Sequence, residues 1–321
     1  MDNLGLLLKF KVNRPLTEEE QAYQLKQDKR LNVEPLNQLS TIRMNSTYLE
    51  MVDKYYGWKG YLTLGAFVVI SVLGIANLSF LLLSINQFNT YDNHEKIEDL
   101  LFLAVIFLMS LPLILVGVWM FLKETFAYTH YPIRLNRKNG KIYVFRLDGT
   151  VLAMPWKDVF FTVGKGRPRG SYDDIRGHVL DADGVTVKET FALSYSGDLS
   201  KEELNAYPDD VQETHYLFRY WEFVRRYMEE GPVNLLDHVD VVMPVAHRRE
   251  GVWNSFLRLN TGWHNLWLIA LPFTLLIWPF RVFAMRTSKI PQWPQWVEDE
   301  CQVDPNDPYQ RDEQHPQPAS A

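Results

Sequence analysis

Two long stretches without a charged side chain, Gly60 to Ile85 and Leu100 to Leu122, constrain this chain more than any other feature. At about 1.5 Å of rise per residue they make roughly 39 and 34 Å of helix, against a hydrocarbon core of about 30 Å. A water-soluble fold would have to enclose two helices that are apolar on every face, so residues 60–122 read as a transmembrane hairpin. Gly65, Ala66, Gly74 and Ala76 on the first run and Gly117 on the second would let the two helices approach closely. Neither run holds an Asp, Glu, Lys, Arg or His, and no ion path or proton relay is expected there.

The flanking charges orient the hairpin. Arg43, Lys54 and Lys59 precede it, and Lys123, Arg134, Arg137, Lys138 and Lys141 follow. The connecting loop, Asn86 to Asp99, sets one Lys against four acidic residues. Since Lys and Arg are enriched in cytoplasmic flanks, both ends are expected inside and the loop outside. Trp58 and Tyr61 at one end of the hairpin, and Trp119 with Phe121 at the other, fit interfacial aromatic anchoring. A net charge of -6 argues against a nucleic-acid partner, and the single cysteine, Cys301, excludes an internal disulfide and any multi-cysteine metal site. Leu4 to Leu8 is too short for the core of a signal peptide, so the first long run is expected to direct insertion.

Residues 1–59 read as a cytoplasmic helical arm. Thr17 with Glu20 forms a capping-box start for a helix to about Leu31, and a second short helix is expected from Ser46 to Tyr56. After the hairpin the pattern shortens and alternates. Ile133 to Asn136, Lys141 to Leu147, Val151 to Trp156 and Asp158 to Val163 are strand candidates, followed by a hairpin of Ile175 to Leu180 with Val185 to Leu193. Asn139-Gly140, Asp148-Gly149 and Asp183-Gly184 supply the turns. An amphipathic helix over 214–230 follows, with Trp221 among its apolar positions, Glu222 and Arg226 on its exposed face and Gly231-Pro232 at its end. Trp156 and Trp221 are expected in one core, and Val239 to Val245 reads as one more strand.

An antiparallel ladder capped by one helix is the element order of a pleckstrin-homology-like barrel, placed here at 131–245. The run Ile133-Arg134-Leu135-Asn136-Arg137-Lys138-Asn139-Gly140-Lys141-Ile142-Tyr143, with Pro155-Trp156-Lys157-Asp158-Val159, resembles a family of uncharacterised proteobacterial membrane proteins often encoded near type VI secretion effectors. The resemblance implies a bacterial inner-membrane protein with a cytoplasmic domain, acting as an immunity or adaptor protein toward a toxin or effector. It carries over no catalytic residue. The fold class expected is thus an α+β membrane protein: hairpin, antiparallel pleckstrin-homology-like domain, capping helix and a third apolar segment.

That third segment, 259–285, is open between two readings. Its most apolar part, Leu266 to Phe280, is short and holds Pro272 and Pro279, and cations stand on both sides of it. A re-entrant or in-plane segment suits those charges, and a straight third crossing is the alternative. Residues 286–321 read as a Pro-rich polar tail, disordered after Asp312, with one sticky patch at Trp293 and Trp296.

Candidate sites are few. Gly164-Lys165-Gly166-Arg167-Pro168-Arg169-Gly170 sets three cations among glycines whose backbone amides suit phosphate, within reach of a lipid head group. Lys165, Arg167, Arg169, Tyr172, Trp293 and Trp296 are the expected partner- or lipid-binding residues. His215, His238 and His247 match no metal-ligand spacing, no Gly-x-Ser-x-Gly or His-Glu-x-x-His occurs, and Cys301 follows acidic residues that would raise its thiol pKa. Neither an enzyme nor a cofactor nor a metal is expected. The two surviving classes are an interaction protein with a protein partner and a binder or sensor of anionic lipid in the bilayer.

Overall fold

A computed structural model describes residues 5–88, 90–164, 173–197, 216–239, 241–260 and 267–315. The strands are β1 (Arg14–Pro15), β2 (Thr41–Met44), β3 (Tyr48–Met51), β4 (Ile133–Asn136), β5 (Lys141–Phe145), β6 (Val151–Pro155), β7 (Val159–Gly164), β8 (Asp173–Leu180) and β9 (Thr186–Gly197). The helices are α1 (Glu18–Ala22), α2 (Tyr61–Gln87), α3 (Asn93–Glu124), α4 (Tyr216–Glu229), α5 (Val252–Asn260), α6 (Trp267–Thr287) and α7 (Gln295–Glu300). The chain divides into two compact units. Residues 1–58, 128–250 and 290–321 form the first, and 59–127 with 251–289 form the second.

The first unit is built on two antiparallel sheets, ordered β2-β3-β4-β5-β6 and β1-β9-β8-β7. The three expected turns appear, with Gly140, Gly149 and Gly184 at positive φ. Strands β3 and β4 lie side by side, Met51 opposite Ile133 and Tyr48 opposite Asn136, although α2 and α3 come between them in sequence. The long hairpin is therefore an insertion between two paired strands, and Asp53 Oδ2 accepts from Tyr131 N (2.6 Å) at the stem. Trp156 and Trp221 stack at 5.8 Å, and Phe161 lies 4.9 Å from each, in a core that joins both sheets to α4.

Several local expectations are corrected. No helix forms over Ser46 to Tyr56: Tyr48–Met51 is a strand buried on both faces, and a short 3-10 turn covers Tyr56–Trp58. The capping box at Thr17 forms, but its helix stops at Ala22 rather than Leu31. Beyond it, the backbone serves the edge of β7, with Leu25 N donating to Phe161 O (2.8 Å) and Val163 N to Tyr23 O (3.2 Å). Glu222 is not exposed. Residues 31–36 lie over that side of α4, so its carboxylate is fully buried and accepts from Leu31 N (2.9 Å), Arg225 Nε (2.7 Å) and Arg226 Nε (2.8 Å). The described residues of Val239 to Val245 form no strand, though Met243 N donates to Thr41 O (2.7 Å) at the edge of β2.

In the second unit, Gly60 caps α2 at φ +104, where a side chain would meet the Arg281 backbone. The connecting loop is shorter than its acidic composition implies. Asp92 accepts from His94 N and Glu95 N, a capping box that starts α3 at Asn93, so its first turns carry the acidic residues. Inside the pair, Asn77 Nδ2 donates to Ser110 Oγ (2.8 Å), and Glu124 Oε2 accepts from Thr63 N (2.7 Å) and Oγ1 (2.6 Å). Helix α6 continues through Pro272 and Pro279 as far as Thr287, longer than the apolar stretch ending at Phe280 suggests. Tyr56–Gln87, Asn93–Glu124 and Leu268–Thr287 are each long and apolar enough to cross a membrane. Their apolar residues face outward: Leu108 and Met109 are 71% and 72% exposed.

Candidate functional site

The tail is the main departure from expectation, because residues 293–311 lie along the outer face of β3-β4-β5. Alternation in β4 turns Leu135 to the core and Arg134 to the opposite face, where it is 1% exposed. Its guanidinium donates to Glu50 Oε2 (3.0 Å) and to Glu298 (3.1 and 3.2 Å), between the Tyr48 ring at 4.4 Å and the Trp293 ring at 4.9 Å. Burial alone would lower its pKa, but Glu50, Tyr48 and Glu298 outweigh that and raise it. Trp293 Nε1 donates to the second Glu50 oxygen (2.9 Å). Farther along, Glu300 accepts from Lys141 Nζ (2.6 Å) and Tyr143 Oη (2.6 Å), and Asp307 accepts from Ser46 N (2.7 Å). Met44 and Arg311 exchange backbone hydrogen bonds of 2.8 and 2.7 Å.

Trp293 and Trp296, expected as anchors for a partner, divide here. Trp293 is half-buried against Arg134 and Phe145. Trp296 rests on Tyr143 at 5.9 Å and keeps 44% of its surface exposed. Cys301 is buried beneath the same strap, and Asn136 Nδ2 donates to its sulfur (3.3 Å). Its thiol pKa is raised, as the sequence suggests, but burial is the leading cause rather than neighbouring carboxylates. Disorder was expected from residue 313, yet Asp312 Oδ1 accepts from Gln314 N (2.9 Å) and His315 N (2.8 Å).

Lys165, Arg167, Arg169 and Tyr172 lie outside the described residues, as does His215. The stem of that loop is described. Asp174, fully buried, is paired with Lys54 and accepts from Arg176 Nε (2.7 Å). Lys54 stands seven residues before α2, so the stem is fixed to the stretch from which the chain leaves this unit. Nothing in the sequence marks these residues as buried: Asp174 and Arg134 sit in strands where polar residues look solvated until their cover is known, and Lys54 lies in a turn among the flanking charges of the hairpin. The usable signal was charge complementarity, Arg134 and Lys141 against Glu298 and Glu300.

Among the described residues no three His, Cys, Asp or Glu side chains are grouped to hold a metal. His247 is exposed and contacts Arg43. A second buried cluster joins Arg14 to Glu20 in a two-pronged ion pair (2.5 and 2.7 Å), with His178 Nε2 3.3 Å from Glu20 and Nδ1 2.8 Å from Thr190 Oγ1. These groups tie α1 to β1 and β8 of the four-stranded sheet. No curated protein matches the chain, and no solved structure does. A model for a family of unknown function (DUF6708) matches residues 110–305, from within α3 to beyond α7, and the chain belongs to that family.

Proposed function

We propose that this is a non-enzymatic protein of the bacterial inner membrane, and that its two-sheet unit works in the cytoplasm by binding a protein partner. The observation that carries the membrane part is the outward apolar surface of α2 and α3, whose most apolar windows are only 11% and 17% buried. Surface of that extent and length needs hydrocarbon around it. The Lys and Arg excess at both outer ends of the hairpin supports an inside position for the soluble unit. The order β3 to β6, then β7 to β9, then α4 supports a pleckstrin-homology-like reading, with the hairpin inserted after the first of those strands.

Within that reading, the partner we infer is a toxin or type VI secretion effector, and the role is immunity or adaptation. Its support is the resemblance in the β4-β5 and β6-β7 segments. A protector acts by occupying its partner, for which Trp296 is a suitable exposed anchor. Expressing an adjacent effector gene with and without this protein in a naive host tests it, and equal killing with the protein present in the membrane refutes it. One observation favours a second reading, anionic-lipid binding by Lys165, Arg167 and Arg169: the stem of their loop is tied to Lys54, close in sequence to α2. Replacing those three cations should abolish the loop's own headgroup-dependent lipid contact under that reading, whereas Trp296→Ala should weaken toxin protection under the first and leave that lipid contact unchanged.

A further inference from the structure

Ahead of β1, residues 5–13 are held by contacts to the first unit. Gly5 sits against the Tyr55 hydroxyl, the Phe10 ring lies 5.6 Å from both Lys54 Nζ and Arg176 Cζ, and Asn13 N donates to Val187 O (2.7 Å). Between these attachments the chain leaves Leu8 and Val12 exposed, at 67% and 41%, with Lys9 and Lys11 exposed beside them. Among the described residues neither lysine makes an ion pair. From Tyr55 to the first residue of α2 is six residues, a reach of at most about 20 Å.

We infer that residues 8–12 are a membrane-surface contact, with Leu8 and Val12 entering the headgroup zone of an anionic leaflet while Lys9 and Lys11 meet its phosphates. This rests on the membrane reading above and not on the 165–172 loop. The tether to Tyr55 and Lys54 keeps the segment within reach of the bilayer that α2 enters. Charge complementarity selects an anionic surface over a protein groove, because two cations with no ion pair among the described residues flank the apolar side chains.

The test uses the full chain in nanodiscs of phosphatidylcholine alone and of an equal mixture with phosphatidylglycerol, on a Cys301→Ala background. An environment-sensitive fluorophore is placed at Leu8→Cys and, separately, at Leu82→Cys, which is 56% exposed on α2. The position-8 probe should shift to the blue and be quenched by brominated lipid in the mixture. Lys9→Gln with Lys11→Gln should move the equilibrium between engaged and free segment by about 30-fold, at about 1 kcal/mol per lysine near an anionic surface. A water-like probe at position 8 in both discs, with position 82 quenched, overturns this inference alone. Quenching at position 8 that ignores headgroup charge overturns the anionic assignment. No quenching at position 82 removes the membrane reading itself.

Discussion

Replacing Arg134 with Leu tests whether the C-terminal strap is part of the folded unit. The guanidinium is 1% exposed and its partner Glu50 side chain 5%, so the variant strands a buried carboxylate that keeps the Trp293 Nε1 hydrogen bond and the more distant charge of Arg43. Removing one member of a buried pair costs about 3 to 5 kcal/mol. For a unit of this size, each kcal/mol moves the melting midpoint by about 2 to 4 °C, and the expected loss is roughly 6 to 20 °C. Glu298 is 42% exposed, so Glu298→Gln should cost at most about 1 kcal/mol. Changing Glu50 to Leu as well should recover much of the loss, since a buried ion pair exchanged for apolar side chains is often neutral. Near-UV circular dichroism against temperature in detergent reads the midpoint, and limited proteolysis between residues 289 and 295 reads release of the strap. Equal small losses for Arg134→Leu and Glu298→Gln, with the strap still protected, would refute the reasoning.

Trp221→Ala in the full chain should cost about 3 to 5 kcal/mol, because it empties the stack with Trp156 and Phe161; a melting curve like the parent's would mean that α4 is not seated on the sheets. The full chain is needed because β2, β3 and the strap lie outside the 131–245 stretch that the sequence marks as the domain. Burial alone would raise the Glu20 pKa, but His178 and Arg14 hold it well below the usual range. A depressed carboxyl contributes stability above its unfolded value of about 4.3, and that contribution falls away as pH drops toward the folded value. Proteolytic protection of residues 14–22 should therefore weaken as pH falls below about 4; Glu20→Gln should lack the acid phase, and an unchanged phase in that variant would remove Glu20 as its cause.

What could be read in the sequence was local. The hairpin follows from two runs without charge, the ladder from alternation punctuated by Asn-Gly and Asp-Gly, and the Trp156 to Trp221 contact from a helix with one aromatic face. What could not be read depends on partners distant in sequence. Glu50 and Tyr48 sit among residues with passable helix spacing, and only pairing with β4 across the inserted hairpin makes them a strand. Glu222 and Arg226 have the four-residue spacing of a solvated pair, yet the segment that buries Glu222 is nearly two hundred positions away, as the 191-residue separation from Leu31 shows. A Pro-rich, acidic tail reads as solvated for the same reason. Its carboxylates match Arg134 and Lys141, but composition does not reveal where the tail docks.

Connectivity carries the last prediction. Residues 250 and 290 bound the 251–289 segment, and both flanks belong to the first unit: Glu250 accepts from Tyr56 Oη (2.9 Å), and Trp293 donates to Glu50. One unit held together by β-ladders and a shared core cannot lie on two sides of a bilayer, so under the proposed membrane reading the segment enters and leaves by the same face. Helix α6, 21 residues and about 31 Å long, is long enough for one crossing, whereas the 15 positions from the start of α5 to the start of α6 could span at most about 22 Å as helix, too little for another. The two helices run in opposite directions, with Trp278 Nε1 donating to Val252 O (2.9 Å) and Thr274 Oγ1 to Asn260 Oδ1 (3.0 Å). We therefore predict a re-entrant pair, with Arg248 and Arg249 before it, Arg286 in its last turn and Lys289 after it all on the cytoplasmic side. With Cys301 replaced by Ala, Gln292→Cys and Lys138→Cys should resist an impermeant thiol reagent in intact spheroplasts and react after lysis. Asn93→Cys should react before lysis. Labelling of Gln292→Cys together with Asn93→Cys in intact cells would establish a straight third crossing and separate the strap from the sheet on which the structure places it.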